Sequence, residues 1–264
     1  MPEHSLAAPN PAGAHFLRDR TLITRLVSAS GAGDGQLVLD LGAGYGSITA
    51  ALAGTGARVI AVERDPRLAG RLSRRFAADP RIRVVSADMR QVPLPRREFL
   101  VVANLPFAVT TQMSRRLLGD AAVRLAGAEL ITAWGAGCWL AHRTPRDEET
   151  AWWTARYEIR LVRRVPAGSF APPPSVDAAQ LSVRPRAIAR SRHGQRVLRA
   201  LLRDALRGRR RRPVEVSRQV LLRAGIAPAT PAAELTADEW HRLAQLLTAP
   251  ARRGRGVRQQ PGRR

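Results

Sequence analysis

The chain has 264 residues, enough for one large domain or one domain with a small appendage, and 45% of them are hydrophobic, enough for a proper core. All 44 basic residues are arginines; against 21 acids they leave a net charge of +23, which points to a polyanionic partner. One cysteine, Cys138, excludes an intrachain disulfide and a cysteine-based zinc site, and the five histidines have no metal-ligand spacing, so no metal site is expected.

Residues 1–14 are rich in Ala, Pro and Gly and read as a flexible leader without a signal pattern. With no apolar run of membrane-spanning length anywhere, a soluble cytoplasmic protein is expected. Residues 16–28 read as a helix, with Leu17, Leu22, Ile23, Leu26 and Val27 on one side. Strands and helices then alternate. Strands are expected over residues 37–41, 58–62, 82–85, 99–103 and 128–133, and helices over 47–53, 65–76 and 111–118. Pro66 suits the first turn of its helix. Short apolar strands separated by helices mean an α/β fold, a mainly parallel sheet covered on both faces. Residues 157–165 and 179–183 read as two further strands around a proline-rich loop, pairing as an antiparallel edge. Beyond about residue 185 the composition turns basic: residues 187–264 hold 19 arginines and five acids. Helical patterns at 195–206, 213–224 and 237–247 suggest a small helical domain over 187–248, and residues 249–264 read as a disordered basic tail.

In sheets of this kind ligands bind beyond the carboxyl ends of the strands. Gly42, Ala43, Gly44 and Gly46 follow the first such strand and precede a helix. Their G-x-G-x-G spacing lets backbone N–H groups approach a ligand. It departs from the dinucleotide fingerprint, since Ser47 stands where the third glycine would be, and it suits the methionine and ribose part of S-adenosylmethionine. Glu63 ends the next strand, where a carboxylate can accept both ribose hydroxyls or, as a surface acid, pair with Arg64. Asp88 ends the third, where it can accept the cofactor's adenine amine or serve as a turn aspartate; Arg64 and Met89, next to these two acids, are counted with them in the cofactor site.

Asn104-Leu105-Pro106-Phe107 sits at the end of the fourth strand. The exocyclic amine of adenine is a poor nucleophile, because its lone pair is delocalised into the ring. Acceptors on its two N–H groups, the Asn104 side chain and the Leu105 carbonyl, would make the nitrogen more tetrahedral as it attacks. Pro106 keeps that acceptor rigid, and Phe107 offers an aromatic face to a base swung out of its stack. Direct displacement at the methyl carbon needs neither metal nor covalent nucleophile; positioning and electrostatics carry it. Phe170, in the proline-rich loop, either forms the other wall of the base pocket or simply packs there. Trp152, Trp153 and Tyr157 read mainly as core, as do Met113 and Cys138.

These motifs, over roughly residues 12–250, resemble the ribosomal RNA adenine dimethylases. Ala14-His15-Phe16-Leu17 is similar to their N-terminal motif over the cofactor's methionine end, with His for the more usual Asn; the resemblance thus adds His15 and Leu17 to the cofactor site. Residues 40–46, Glu63 and Asp88 resemble the cofactor turn, the ribose acid and the adenine acceptor, and 104–107 the target-amine clamp with Phe for Tyr. Phe170-Ala-Pro-Pro-Pro-Ser-Val-Asp177 resembles the late motif, in which Phe170 helps sandwich the base. The resemblance implies a Rossmann-like methyltransferase domain over 15–186, a helical RNA-binding domain, S-adenosylmethionine as cofactor and ribosomal RNA as partner, with the chain acting as a monomer. Two branches share the plan. Tyr-Glu-Ile-Arg-Leu-Val-Arg-Arg-Val-Pro at 157–166 resembles the Erm branch, which methylates adenine in 23S rRNA and confers macrolide, lincosamide and streptogramin B resistance. No Tyr-Gly-x-Leu-Ser stretch of the small-subunit assembly branch precedes it. One departure lies at 133–139, where Gly-Ala-Gly-Cys replaces a polar, acid-containing helix start.

Overall fold

In the computed structural model, residues 15–206 and 212–249 are described; the expected leader and the basic tail from residue 250 on lie outside them. Seven strands form the main sheet: β2 (Leu37–Leu41), β3 (Arg58–Glu63), β4 (Ile82–Ser86), β5 (Phe99–Asn104), β6 (Leu125–Ala133), β7 (Tyr157–Val165) and β9 (Ala178–Pro185). Their order is β4-β3-β2-β5-β6-β9-β7. β2 to β6 pair in parallel, while β9 runs antiparallel to both β6 and β7. The expected antiparallel pair is therefore present, with β7 at the edge.

Side-chain alternation distributes the core over both faces. In β2, Leu37, Leu39 and Leu41 join one buried cluster and Val38 the other; in β5, Val101 and Ala103 oppose Leu100 and Val102. One face carries α1 (Arg20–Ser30) and α2 (Ser47–Ala53); the other cluster runs on from the sheet through α6 (Glu148–Arg156) into α7 (Arg192–Leu206), α8 (Arg218–Arg223) and α9 (Ala237–Thr248). The C-terminal helices thus share a core with the sheet. Trp152, Trp153 and Tyr157 are all buried in it, as is Met113, whereas Cys138 is only half-buried. No described helix is long and apolar enough to cross a membrane.

Three expected helices need correction. The first begins at Arg20, because Asp19 accepts the N–H of Leu22 at 3.0 Å and caps it. Phe16–Leu17 instead form β1, pairing antiparallel with β8 (Phe170–Ala171). The helix expected over 111–118 is α4 (Thr110–Ser114) followed by a widened π turn, Arg115–Gly119. The carbonyls of Leu118 and Gly119 at its end accept from Arg156 Nη1 at 2.7 Å and Trp152 Nε1 at 2.8 Å, fixing that shape. Over 213–224 only α8 forms: Ser217 caps it, and Pro213 bridges to Pro231. α3 (Pro66–Arg75) opens as expected, with Pro66 in its first turn and Asp65 capping it.

Candidate active site

The chemistry-bearing residues converge at the carboxyl ends of β2 to β5. At the end of β2 the chain turns sharply: Gly42 and Ala43 donate to the carbonyl of Val62 at 2.8 and 3.0 Å. Gly44 has φ +53°, and a Cβ there would stand 2.8 Å from the Phe16 ring, so the strand β1 closes over a turn only glycine permits. The N–H of Gly44 donates to Glu63 Oε2 at 2.8 Å, and Asp65 N–H donates to Oε1 at 2.9 Å. Glu63 is therefore not a surface acid paired with Arg64. Its carboxylate is buried and aimed by two backbone donors, with lone pairs left for hydroxyl donors.

Asp88 lies two residues past β4. It behaves as a turn aspartate, accepting the N–H of Arg90 at 2.8 Å, and as an ion-pair partner of the same residue's guanidinium. Hydrogen bonding from Arg90 holds its carboxyl down at about 2. Asp88 faces the cavity, so acceptance of an adenine amine there would be shared with Arg90, a residue that the Asp-x-Arg spacing alone did not single out.

Asn104 ends β5. Its Nδ2 donates to the carbonyl of His15 at 2.6 Å, which sets the amide's orientation and leaves Oδ1 as the side chain's acceptor. His15 is held in turn: its Nδ1–H donates to the carbonyl of Pro172 at 2.9 Å, because a carbonyl can only accept. Leu105 N–H is spent on Ile131 O at 3.0 Å, and Pro106 O on Val109 N–H at 3.0 Å, so the tetrapeptide is pinned from both sides. The Phe107 ring, half-buried, stands 5.7 Å from the His15 ring.

A single cavity of about 350 Å3 joins these groups. Gly42, Glu63, Arg64, Asp65 and Leu68 form one wall, Ala87 to Arg90 another, and Asn104 to Val109 with His15 and Phe16 the third. Its volume is in the range of small-ligand sites. Of the expected site residues, Leu17, Ala43, Gly44, Gly46 and Phe170 are not on its wall. Leu17 and Phe170 are opposed in the β1–β8 pair and are both buried. Ala43 packs with Ala61 and Leu72, and Gly44 acts through Glu63. Phe170 belongs to the buried cluster against which Phe107 packs.

The donor set fits S-adenosylmethionine. A buried carboxylate with free lone pairs suits vicinal hydroxyls, a glycine turn admits close backbone approach, and Leu68 and Met89 give the cavity an apolar flank. These features are those of the Rossmann-like methyltransferase fold, a class whose methyl donor is S-adenosylmethionine. The match to the ribosomal RNA adenine dimethylase family covers residues 10–249, and the chain belongs to that family.

It is 35% identical to the mycinamicin-resistance protein MyrB of Micromonospora griseorubida, over 95% of this chain and 84% of that one. It is 31% identical to a ribosomal RNA small subunit methyltransferase A of a Synechococcus strain, over 89% and 91%. Against an rRNA adenine N-6-methyltransferase of Bacillus licheniformis the identity is 29%, and the chain spans 61% of that protein's length. The crystal structure of the 23S rRNA methyltransferase ErmE superposes with a TM-score of 0.71 at 25% identity, covering 87% of this chain and 98% of that one.

Proposed function

We propose that the chain transfers a methyl group from S-adenosylmethionine to the exocyclic amine of a specific adenine in 23S rRNA, and that this confers macrolide, lincosamide and streptogramin B resistance. The observation that carries the transfer is the Asn104 amide: with Nδ2 anchored on His15, Oδ1 is held as an acceptor in the same cavity as Glu63. When bound, the cofactor supplies an electrophilic methyl group. Glu63 and the glycine turn hold and orient it, while Asn104 Oδ1 and the Leu105 carbonyl accept from the amine and Phe107 stacks on the base. An acceptor already in place needs no reorganisation as the nitrogen gains positive charge.

The Erm assignment is supported by the likeness to MyrB and ErmE over most of each chain. The small-subunit reading is favoured by the 31% identity to the Synechococcus protein over almost its whole length. The RNA is taken before full subunit assembly, by a cytoplasmic monomer, with residues 187–248 as a helical RNA-binding domain.

A methyl-transfer assay with labelled S-adenosylmethionine on protein-free 23S rRNA and on immature small subunits separates the two readings. Methyladenine in 23S rRNA alone is the expected result; label only in small subunits would make the chain an assembly methylase. Asn104→Ala is expected to lower kcat by at least about 100-fold, the scale of a lost transition-state hydrogen bond, with RNA binding near normal. A near wild-type rate in that variant would remove the clamp assignment.

A further inference from the structure

A second cavity, of about 630 Å3 and lined by none of the residues of the first, opens at the end of β6. Its wall includes Trp134, Arg164, Ser175, Val176 and Asp177, with Ala133 at the end of β6. Trp134 opens α5 (Trp134–Leu140), the segment where the sequence departs from the polar helix start of its family.

Three contacts build the wall. The Trp134 N–H donates to Asp177 O at 2.9 Å. The Arg164 guanidinium lies 5.2 Å from the Trp134 ring centroid. Arg164 Nε donates to Asp177 Oδ2 at 2.7 Å, and the side chain stays 63% exposed. Val176, 50% exposed, adds an apolar edge.

The cavity's distance from the clamp follows from strand register. Asn104 pairs with Ile131, and Trp134 stands three residues further along the chain, about 10 Å at the rise of a strand. That is the reach of one or two nucleotides from a base seated on Asn104. With the guanidinium over one face of the indole, the opposite face is the one that can take an unpaired base, and guanidinium N–H groups suit phosphate oxygens. The transfer chemistry uses neither residue.

We propose that this cavity holds an unpaired nucleotide flanking the methylated adenine, its base stacked on Trp134 and its phosphate held by Arg164. This rests on the reading of the chain as an rRNA adenine methyltransferase. Trp134 and Arg164 act as RNA-positioning residues: they act on KM for RNA and not on the methyl-transfer step.

The test uses the full chain and a stem-loop RNA carrying the target adenine, together with copies in which each flanking nucleotide in turn is made abasic. Trp134→Ala is expected to raise KM for RNA about 30-fold, a middle value for one base–aromatic stack. Its kcat and cofactor affinity should stay near wild type, and Trp134→Phe should restore most of the loss. In the wild-type chain one abasic position should cause a matching loss, and that loss should vanish in Trp134→Ala. A wild-type KM in Trp134→Ala, or an undiminished abasic penalty at every position, overturns the proposal while Asn104→Ala remains inactive. If Trp134→Ala fails to bind cofactor, Trp134→Leu, which keeps apolar bulk without an aromatic face, and Arg164→Gln carry the same comparison. A defect seen on ribosomal particles and not on naked RNA would assign the cavity to a protein and overturn it. No methylation of any rRNA by the wild-type chain would instead remove the functional reading on which the inference stands.

Discussion

Asp40 shows what a single buried group does at this site. It lies in β2, fully buried, with Oδ2 accepting from Thr49 Oγ1 at 2.6 Å and Oδ1 without a partner. Burial pushes its carboxyl up to about 7; the Thr49 hydrogen bond opposes this and the charge of Glu63 adds to it. Between about pH 4 and 7 the unfolded chain therefore releases a proton that the folded chain keeps. Stability contributed by neutral Asp40 is complete below pH 4 and lost as pH rises through 7. Asp40→Asn removes that loss. Relative to the variant, the wild-type chain is expected to lose about 3–4 kcal/mol between pH 4 and 7 and nothing further above it, read from urea midpoints. A constant difference from pH 4 to 8 would show that Asp40 is ionised in the folded state throughout. At this scale much of the site was legible in the sequence: Gly42, Glu63 and Asn104 follow apolar strands, and a parallel sheet brings such positions to one edge. The anchor of Asn104 on His15 was not, since that partner is 89 residues away and the contact depends on where the strand β1 runs. Nor was the burial of Leu17 and Phe170, which the register of β1 with β8 decides.

Among the elements, α5 carries the departure at 133–139, and its packing explains one of the glycines. A Cβ at Gly137 would stand 2.4 Å from Ala179 Cβ in β9, so the helix lies directly on the strand. Gly135 has nothing within 4 Å. Gly137→Ala is expected to cost about 1–3 kcal/mol by pushing α5 off β9, because both contacting atoms are fixed to backbone. Gly135→Ala, by contrast, should gain up to about 1 kcal/mol from helix propensity alone. Equal effects of the two on the unfolding midpoint would mean that α5 does not pack on β9. The strands of the sheet were legible because each is a short apolar run between turn residues, and β2 and β7 fall where the pattern puts them. Helix ends were less so. Periodicity cannot distinguish Leu17 in a helix from Leu17 in the strand β1, and only the cap at Asp19 separates them. The helix α6 carries a capping box, Asp147 with Thr150, that would have announced it. The π turn has no local signal, because its shape depends on Arg156 and Trp152 from α6.

Across the whole molecule, charge is the property that the proposed RNA substrate would meet first. With a net charge of +23, exposed arginines are the groups that would meet phosphate, and α7 presents Arg192, Arg196 and Arg203 as one exposed stripe at helical spacing. The same helix buries Leu198 and Leu202 in the core shared with the sheet, so the stripe is fixed relative to the active-site edge. Residues 252–264 add six arginines and no acids. If these contact phosphate, each neutralised charge contributes about 0.7 to the slope of log affinity against log salt on single-stranded RNA. Deleting residues 252–264 is then expected to weaken binding and flatten the slope by up to about 4, with kcat at saturating RNA unchanged. The remaining slope belongs to residues 1–251, the α7 stripe included, and should fall further in Arg192→Gln/Arg196→Gln/Arg203→Gln. Titrations of the target stem-loop between 50 and 200 mM salt would measure both. An identical slope for the full and shortened chains would place the RNA contacts entirely within residues 1–251, and the charge of residues 252–264 would then contribute nothing to holding the substrate.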